Sequence, residues 1–180
     1  MSTKIKVASD WLAGCAGCHM SFLDIDERIV NLIEKADLTS MPITDLKHPA
    51  PEGVDVGILE GAVNNSTTER VARQMRERSK ILIALGDCAC FGGIVTMRNF
   101  VRTEDALRRA YIETESTVDG QIPRHADLAV MQNARALDQV VPVDIYIPGC
   151  PPSADAIWYA LSELLQGRKP VLQGKYLDWH

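Results

Sequence analysis

Four cysteines in three short segments constrain this sequence more than any other feature. The segments are residues 14–18 (GCAGC), 86–88 (GDC) and 148–152 (PGCPP), and each directly follows a run of residues that predicts a buried strand. Parallel strands that enter one sheet in the same direction bring the loops at their carboxyl ends to a single edge. Cysteines far apart in the sequence can therefore meet there. We expect four thiolates to form one metal site, from Cys15, Cys18, Cys88 and Cys150.

Length, charge and cysteine use exclude several classes of protein. The chain has 180 residues, 46% of them hydrophobic, which predicts a single domain over residues 1–180. A net charge of −5 argues against a nucleic-acid or anionic-membrane partner, because both need a basic face. The amino end lacks the apolar run of a signal peptide and nothing in the chain predicts membrane insertion, so we expect a cytoplasmic protein. Cysteines in that reducing compartment are typical of ligands or buried thiols rather than disulfides.

The order of the predicted elements indicates an α/β fold. Strands are predicted at residues 4–8, 41–46, 54–59, 81–85 and 143–147, with helices between them. Ser21 with Asp24, and Ser66 with Glu69, have the spacing of capping boxes and are expected to begin two helices. A last helix is expected over residues 153–165. The result would be an open, mostly parallel sheet.

Residues 97–141 interrupt this alternation with a polar, weakly periodic stretch. One helix is expected near residues 104–111 and another near Ala134. Long insertions in compact domains often serve binding, and a solvated crossover without a function is the alternative.

Two kinds of metal group fit four thiolates. A cubane iron–sulfur cluster needs four soft donors, and a Cys-x2-Cys pair such as Cys15 and Cys18 is usual for it. A zinc ion also takes four thiolates, although zinc sites tend to combine two such pairs, while Cys88 and Cys150 are single cysteines on separate loops. The spacing alone leaves both groups open.

Three motifs carry a resemblance to a known family: CAGC at residues 15–18, GDCACFGG at 86–93 and PGCPP at 148–152. Together they resemble the small subunit of nickel–iron hydrogenases and the related cluster-bearing subunit of respiratory complex I. Residues 60–63 (EGAV) are similar to the family's acidic motif after a central strand. The resemblance covers nearly the whole chain. It implies a flavodoxin-like sheet with helices on both faces, a cluster bound by Cys15, Cys18, Cys88 and Cys150, and a large subunit that carries the nickel–iron site.

The details of the motifs imply one branch of that family. The complex I relative has adjacent cysteines in the first motif, whereas two residues separate Cys15 from Cys18. The chain ends at His180 with no further cysteine- and histidine-bearing region and has no twin-arginine leader, which implies one [4Fe-4S] cluster. This short form is similar to soluble NAD-reducing hydrogenases, in which separate diaphorase subunits carry flavin and further iron–sulfur clusters. The resemblance thus implies an electron-transfer subunit of a hydrogen:NAD+ oxidoreductase, without a complete active site of its own.

Other functions and other residues remain open at this stage. An energy-converting, membrane-associated hydrogenase has a similar short subunit, and a flavin-binding electron carrier would use the same kind of sheet. Glu60 is expected either in a proton or hydrogen-bond network near the cluster or as a simple backbone acceptor. His19 is expected either to contact the cluster or a partner, or to be solvated. The family spacing after Gly86 implies that Cys88 is the ligand and that Cys90 is a buried thiol.

Overall fold

The computed structural model describes residues 4–47 and 49–177. The strands are β1 (Ile5–Trp11), β2 (Ala36–Ser40), β3 (Val54–Glu60), β4 (Val63–Asn65), β5 (Ser79–Leu85), β6 (Met131–Arg135) and β7 (Ile145–Ile147). The α-helices are α1 (Gly17–Leu23), α2 (Arg28–Lys35), α3 (Ser66–Arg78), α4 (Gly86–Phe91), α5 (Thr103–Tyr111) and α6 (Ala154–Leu165). The single domain expected over residues 1–180 includes residues 1–3, 48 and 178–180, which lie outside the described part, and it stays a prediction.

Five strands form one parallel sheet in the order β2-β1-β3-β5-β7. Counting only these strands, the order is 2-1-3-4-5, which is the flavodoxin-like arrangement. The direction of winding changes between β1 and β3, and ligands of such sheets bind outside the carboxyl ends of the strands at that point. The predicted fold class is therefore confirmed. β4 and β6 pair separately as a short antiparallel ribbon.

Helices cover both faces of the sheet, as predicted. One core contains Phe22 of α1, Leu32 of α2 and Leu161 of α6. The core on the opposite face contains Met75 of α3 and Ala89 of α4. Strand β5 alternates between them, because successive side chains of a strand point to opposite faces. Its residues at 83 and 85 join the first core, and those at 82 and 84 join the second.

Two predicted elements are wrong. Residues 41–46 form a turn, in which the Thr44 N–H donates to the Met41 carbonyl, and the edge strand is β2, directly before it. An edge strand buries only part of its surface, so β2 lacks the apolar run that marks β3 and β5. The helix expected near Ala134 is β6, whose extended form depends on pairing with the distant β4. The helix expected near residues 104–111 is present as α5.

Neither expected capping box begins its helix. Helix α1 begins at Gly17, so Ser21 lies inside it, and its hydroxyl donates to the Pro152 carbonyl at 2.6 Å. Helix α3 is capped by Asn65, whose side chain accepts from the Thr68 N–H at 2.9 Å. An amide side chain caps a helix as well as a hydroxyl does, which moves the cap one residue before Ser66.

The carboxyl ends of four strands lie level with one another. Trp11 pairs with Glu60, Glu60 with Leu85, and Leu85 with Ile147. The loops that follow these four residues therefore leave the sheet side by side at one edge. The three cysteine segments follow Trp11, Leu85 and Ile147 along the chain.

Candidate metal centre

The structure places all four predicted thiols at this edge of the sheet. Cys15 is exposed in the loop after β1, and Cys18 is buried in the first turn of α1, with 9% of its surface exposed. Cys88 is half-buried in α4, and Cys150 is exposed in the loop after β7. Leu85 and Ile147 pair with each other at the ends of β5 and β7, and Cys88 and Cys150 each follow three residues after them. The set thus comes from three strand ends and differs in exposure from one thiol to the next.

Hydrogen bonds join the cysteine loops to one another. The Asp87 N–H donates to the Gly149 carbonyl at 2.9 Å, and the Gly149 N–H donates to the Asp87 carboxylate at 2.8 Å. Ser21 connects α1 to the proline-rich loop through its bond to Pro152. These bonds hold the loop of Cys150 against the elements that carry Cys88 and Cys18. The sequence analysis assigned no role to Asp87, and only its place inside the GDC motif could have drawn attention to it.

Cys18 lies in an apolar environment with several acidic groups near it. Burial raises the pKa of Cys18 above its usual range, and the negative charge of Glu60 raises it further. The thiolates of Cys15, Cys88 and Cys150 act in the same direction, because each lies close enough to repel the ionised form. Burial also raises the pKa of Cys88. Four crowded thiols of this kind are suited to a cationic group, whose binding releases their protons.

Gly86 provides the space that Cys18 occupies. A Cβ atom at this position would lie 2.2 Å from Cys18 Sγ, which is far inside a normal contact. The φ angle of Gly86 is +80°, a conformation that other residues rarely adopt. The junction of β5 and α4 therefore needs glycine both for its backbone and for the neighbouring thiol.

Cys90 lies apart from this group. It is buried in the core on the α3 side of the sheet, and its thiol donates to the Ala84 carbonyl at 3.4 Å. Burial raises its pKa to about 12. Its surroundings are those of a packed core thiol, and its exclusion from the ligand set stays a prediction.

Glu60 is a buried carboxylate that binds the first turn of α1. One carboxylate oxygen accepts the Cys18 N–H at 3.3 Å, and the other accepts the His19 N–H at 2.9 Å. The second oxygen also contacts the imidazole Nδ1 of His19. Burial raises the pKa of Glu60, but the hydrogen bonds from His19 outweigh it and the net direction is downward. Glu60 is thus a backbone acceptor within a hydrogen-bond network, and a role in proton transfer stays a prediction.

His19 is buried, with 1% of its surface exposed. Its Nε2 lies 2.9 Å from the Ser9 hydroxyl of β1. The indole of Trp11 meets the imidazole edge-on, with Trp11 Nε1 3.0 Å from His19 Nδ1. The sequence analysis missed this arrangement, because a histidine in the first turn of a helix has no local signal for burial.

The donor set fits an iron–sulfur cluster. Each thiolate of a cubane binds a different iron atom, so its four ligands stand further apart than those of one zinc ion. The four thiols at this edge of the sheet supply the four soft donors that such a cluster takes, one for each iron atom.

Comparison with known proteins gives consistent relatives. Residues 15–164 match the family model described as NADH ubiquinone oxidoreductase, 20 Kd subunit. The NAD-reducing hydrogenase HoxS subunit delta of Cupriavidus necator is 40% identical over 169 residues, which cover 92% of this chain and 80% of that subunit. A subunit of the F420-non-reducing hydrogenase of Methanothermobacter thermautotrophicus is 36% identical over 172 residues. That match covers 94% of this chain but only 56% of the relative.

A solved structure agrees over the full length. A chain in the crystal structure of NAD+-reducing [NiFe]-hydrogenase in the H2-reduced state superimposes with a TM-score of 0.93 at 36% identity. The superposition covers 99% of this chain and 100% of that one. The fold is therefore shared with that chain.

The ligand set predicts the effect of cysteine substitutions. Replacing Cys15, Cys18, Cys88 or Cys150 by Ala should abolish or convert the cluster, because each change removes one of four thiolates. Cys90→Ala is the matched control and should keep the cluster. Iron content and the electron paramagnetic resonance spectrum of the reduced, anaerobically purified protein measure both. Loss of iron in Cys90→Ala with retention in Cys88→Ala would reverse the assignment.

The cradle at Gly86 predicts a second pair of variants. Gly86→Ala and Gly167→Ala both place a side chain at a positive φ, of +80° and +72°, which costs about 1–2 kcal/mol of stability in each case. A new Cβ at 167 has nothing within 4 Å, whereas at 86 it strikes Cys18 Sγ. Both variants should unfold earlier in denaturant, but only Gly86→Ala should lose iron. Equal iron contents would show that the glycine serves the backbone alone.

Proposed function

The chain belongs to the NADH ubiquinone oxidoreductase 20 kDa subunit family, and from that premise we propose that it is the iron–sulfur small subunit of a nickel–iron hydrogenase that supplies electrons for NAD reduction. In this proposal the large subunit cleaves hydrogen. Diaphorase subunits with flavin and further clusters reduce NAD+, and the present chain connects the two. We propose that the complex reduces NAD+ in the cytoplasm. In the described part of the chain, no helix has the length and apolar character needed to cross a membrane.

The convergence of four thiols from three strand ends is the observation that carries this proposal. Cys15, Cys18, Cys88 and Cys150 would hold one [4Fe-4S] cluster, and Cys90 would stay outside it. When bound, such a cluster supplies one-electron redox chemistry. The residues of this chain would then hold the group at a fixed place on the sheet edge and exclude water from the side of Cys18.

The exposure of the thiols suggests how partners approach. Cys18 is buried in the first turn of α1, whereas Cys15 and Cys150 are exposed. A subunit that docks at the sheet edge would cover these two and shorten the distance to its own redox centre. We propose that this face is covered in the assembled complex and that the single domain of residues 1–180 acts as one rigid support.

An apolar stripe next to Cys88 supports docking of a large partner. Residues Gly93–Phe100 form a 3₁₀ helix, in which side chains three positions apart lie in line. Ile94, Met97 and Phe100 are three apart in this helix, and Phe91 at the end of α4 is also exposed. Their exposed fractions lie between 62% and 90%. Large apolar side chains that are exposed near one another are typical of a protein interface.

The proposal is tested with the purified complex and with the chain alone. The complex should contain about four iron and four sulfide per copy of this chain, in addition to those of its other subunits, and should reduce NAD+ with hydrogen. The chain alone, free of any large subunit, should aggregate or lose iron and should not reduce a dye with hydrogen. Hydrogen-driven dye reduction by the isolated chain, or a zinc content of one per chain without sulfide, would contradict the proposal.

The apolar stripe predicts a separate effect on assembly. Phe100→Asp should weaken association with the large subunit by about 2 kcal/mol or more, which is roughly 30-fold, because a charge would be buried in an apolar contact. Val30→Asp is the control, since Val30 is also exposed but lies on α2, on the opposite face of the sheet. Co-purification of a tagged large subunit measures both. Undiminished recovery with Phe100→Asp would place the interface elsewhere.

A further inference from the structure

His19 is a buried polar residue that the ligand set does not use. Three elements meet at its ring: Ser9 and Trp11 from β1, Glu60 from β3, and the first turn of α1, to which His19 itself belongs. A buried polar side chain with a contact at each ring nitrogen is held in one orientation. The fixed ring belongs to the residue that directly follows Cys18.

We propose that His19 is a positioning residue that holds the Glu60 carboxylate against the backbone N–H of Cys18, and thereby fixes the direction in which the Cys18 thiolate meets the cluster. This inference rests on the proposed function, because it concerns a ligand of the proposed group. His19 lies outside the three cysteine motifs, so this role is separate from the binding of the cluster by the cysteines.

The contacts show why Glu60 needs the ring. The carboxylate is 3% exposed, so water cannot hold it in place. Its bond to the Cys18 N–H is the weaker one at 3.3 Å, whereas Nδ1 of His19 approaches the other oxygen closely. An ionised carboxylate only accepts hydrogen bonds, so we assign the proton of this contact to Nδ1. The Trp11 indole N–H, which points at the same nitrogen from 3.0 Å, then packs against the ring without a hydrogen bond to it, because a protonated nitrogen cannot accept one. Without that donor, the buried carboxylate would lose its strongest partner and turn away from Cys18.

The opposite ring nitrogen keeps the imidazole plane fixed. With the proton on Nδ1, Nε2 accepts from the Ser9 hydroxyl at 2.9 Å. Trp11 packs edge-on against the ring; its own side chain is partly exposed, whereas His19 is buried. The ends of β1 and β3 thus act together on the one turn of α1 that carries Cys18.

Two amide substitutions separate the two sides of the ring. An Asn side chain places its amide nitrogen near the position of Nδ1, and a Gln side chain reaches the position of Nε2. His19→Asn should therefore keep the contact to Glu60 and lose the contact to Ser9, while His19→Gln does the reverse. If His19 only filled space, His19→Gln would not be more harmful than His19→Asn.

The experiment measures iron release from the anaerobically purified complex to a chelator and the electron paramagnetic resonance line shape of the reduced protein. His19→Gln should release iron about 10- to 100-fold faster than the unchanged complex and should alter the line shape, as is typical when a partner behind a metal ligand is lost. His19→Asn should release iron at a rate within a few-fold of that of the unchanged complex and should keep the same line shape. His125→Asn is the control, because His125 is an exposed histidine whose change should leave both readouts unaltered.

A double substitution keeps the proposal testable if either variant assembles poorly. Glu60→Gln should show the same defect, and adding His19→Gln to it should cause no further loss, because both act through one contact. Equal defects in the Asn and Gln variants, a defect in Asn only, or additive losses in the double variant would overturn the proposal. Absence of an iron–sulfur cluster from the unchanged complex would instead overturn the proposed function, so the two failures are distinguishable.

Discussion

The parallel register of four strands is the constraint on which the site depends. Trp11, Glu60, Leu85 and Ile147 form one row across the sheet, so the segments that follow them must leave at the same height. No long-range side-chain contact is needed to bring the cysteine loops near one another, because backbone hydrogen bonds of the sheet already do so. The hydrogen bonds between Asp87 and Gly149 then act over short distances and set the loops against one another.

The part of the fold that the sequence predicts is the part whose signals are local. The strands near residues 54–59 and 81–85 are rich in apolar residues, because both of their faces are buried. Helix α6 has a helical apolar period, with Ser153 as its N-cap. The edge strand β2 and the ribbon strand β6 lack such signals, because pairing with other strands stabilises them. Their positions were mispredicted for that physical reason. The burial of His19 was missed for a related one, since it arises from β1 and β3 rather than from α1.

The four cysteines meet two requirements that conflict within a single loop: burial away from water and access for a partner. Cys18 is buried behind a carboxylate and a histidine, where water has little access. Cys15 and Cys150 are exposed, where a partner can come close. In the proposed site, ligands from three strand ends would let each thiol have its own degree of exposure. A Cys-x2-Cys pair at both ends of a zinc knuckle does not offer this range, because all four ligands then share two short loops.

The 3₁₀ helix after α4 also restricts how this sequence can change over time. With three residues per turn, each residue rotates its side chain by about 120° relative to the one before it. A point substitution at Val95 leaves the three-residue spacing of Ile94, Met97 and Phe100 intact. Insertion or deletion of one residue within Gly93–Phe100 would instead turn every later side chain of the row away from its predecessors. Drift in this segment should therefore proceed by replacement at constant length, while the exposed segment at residues 112–130 is free to vary in length.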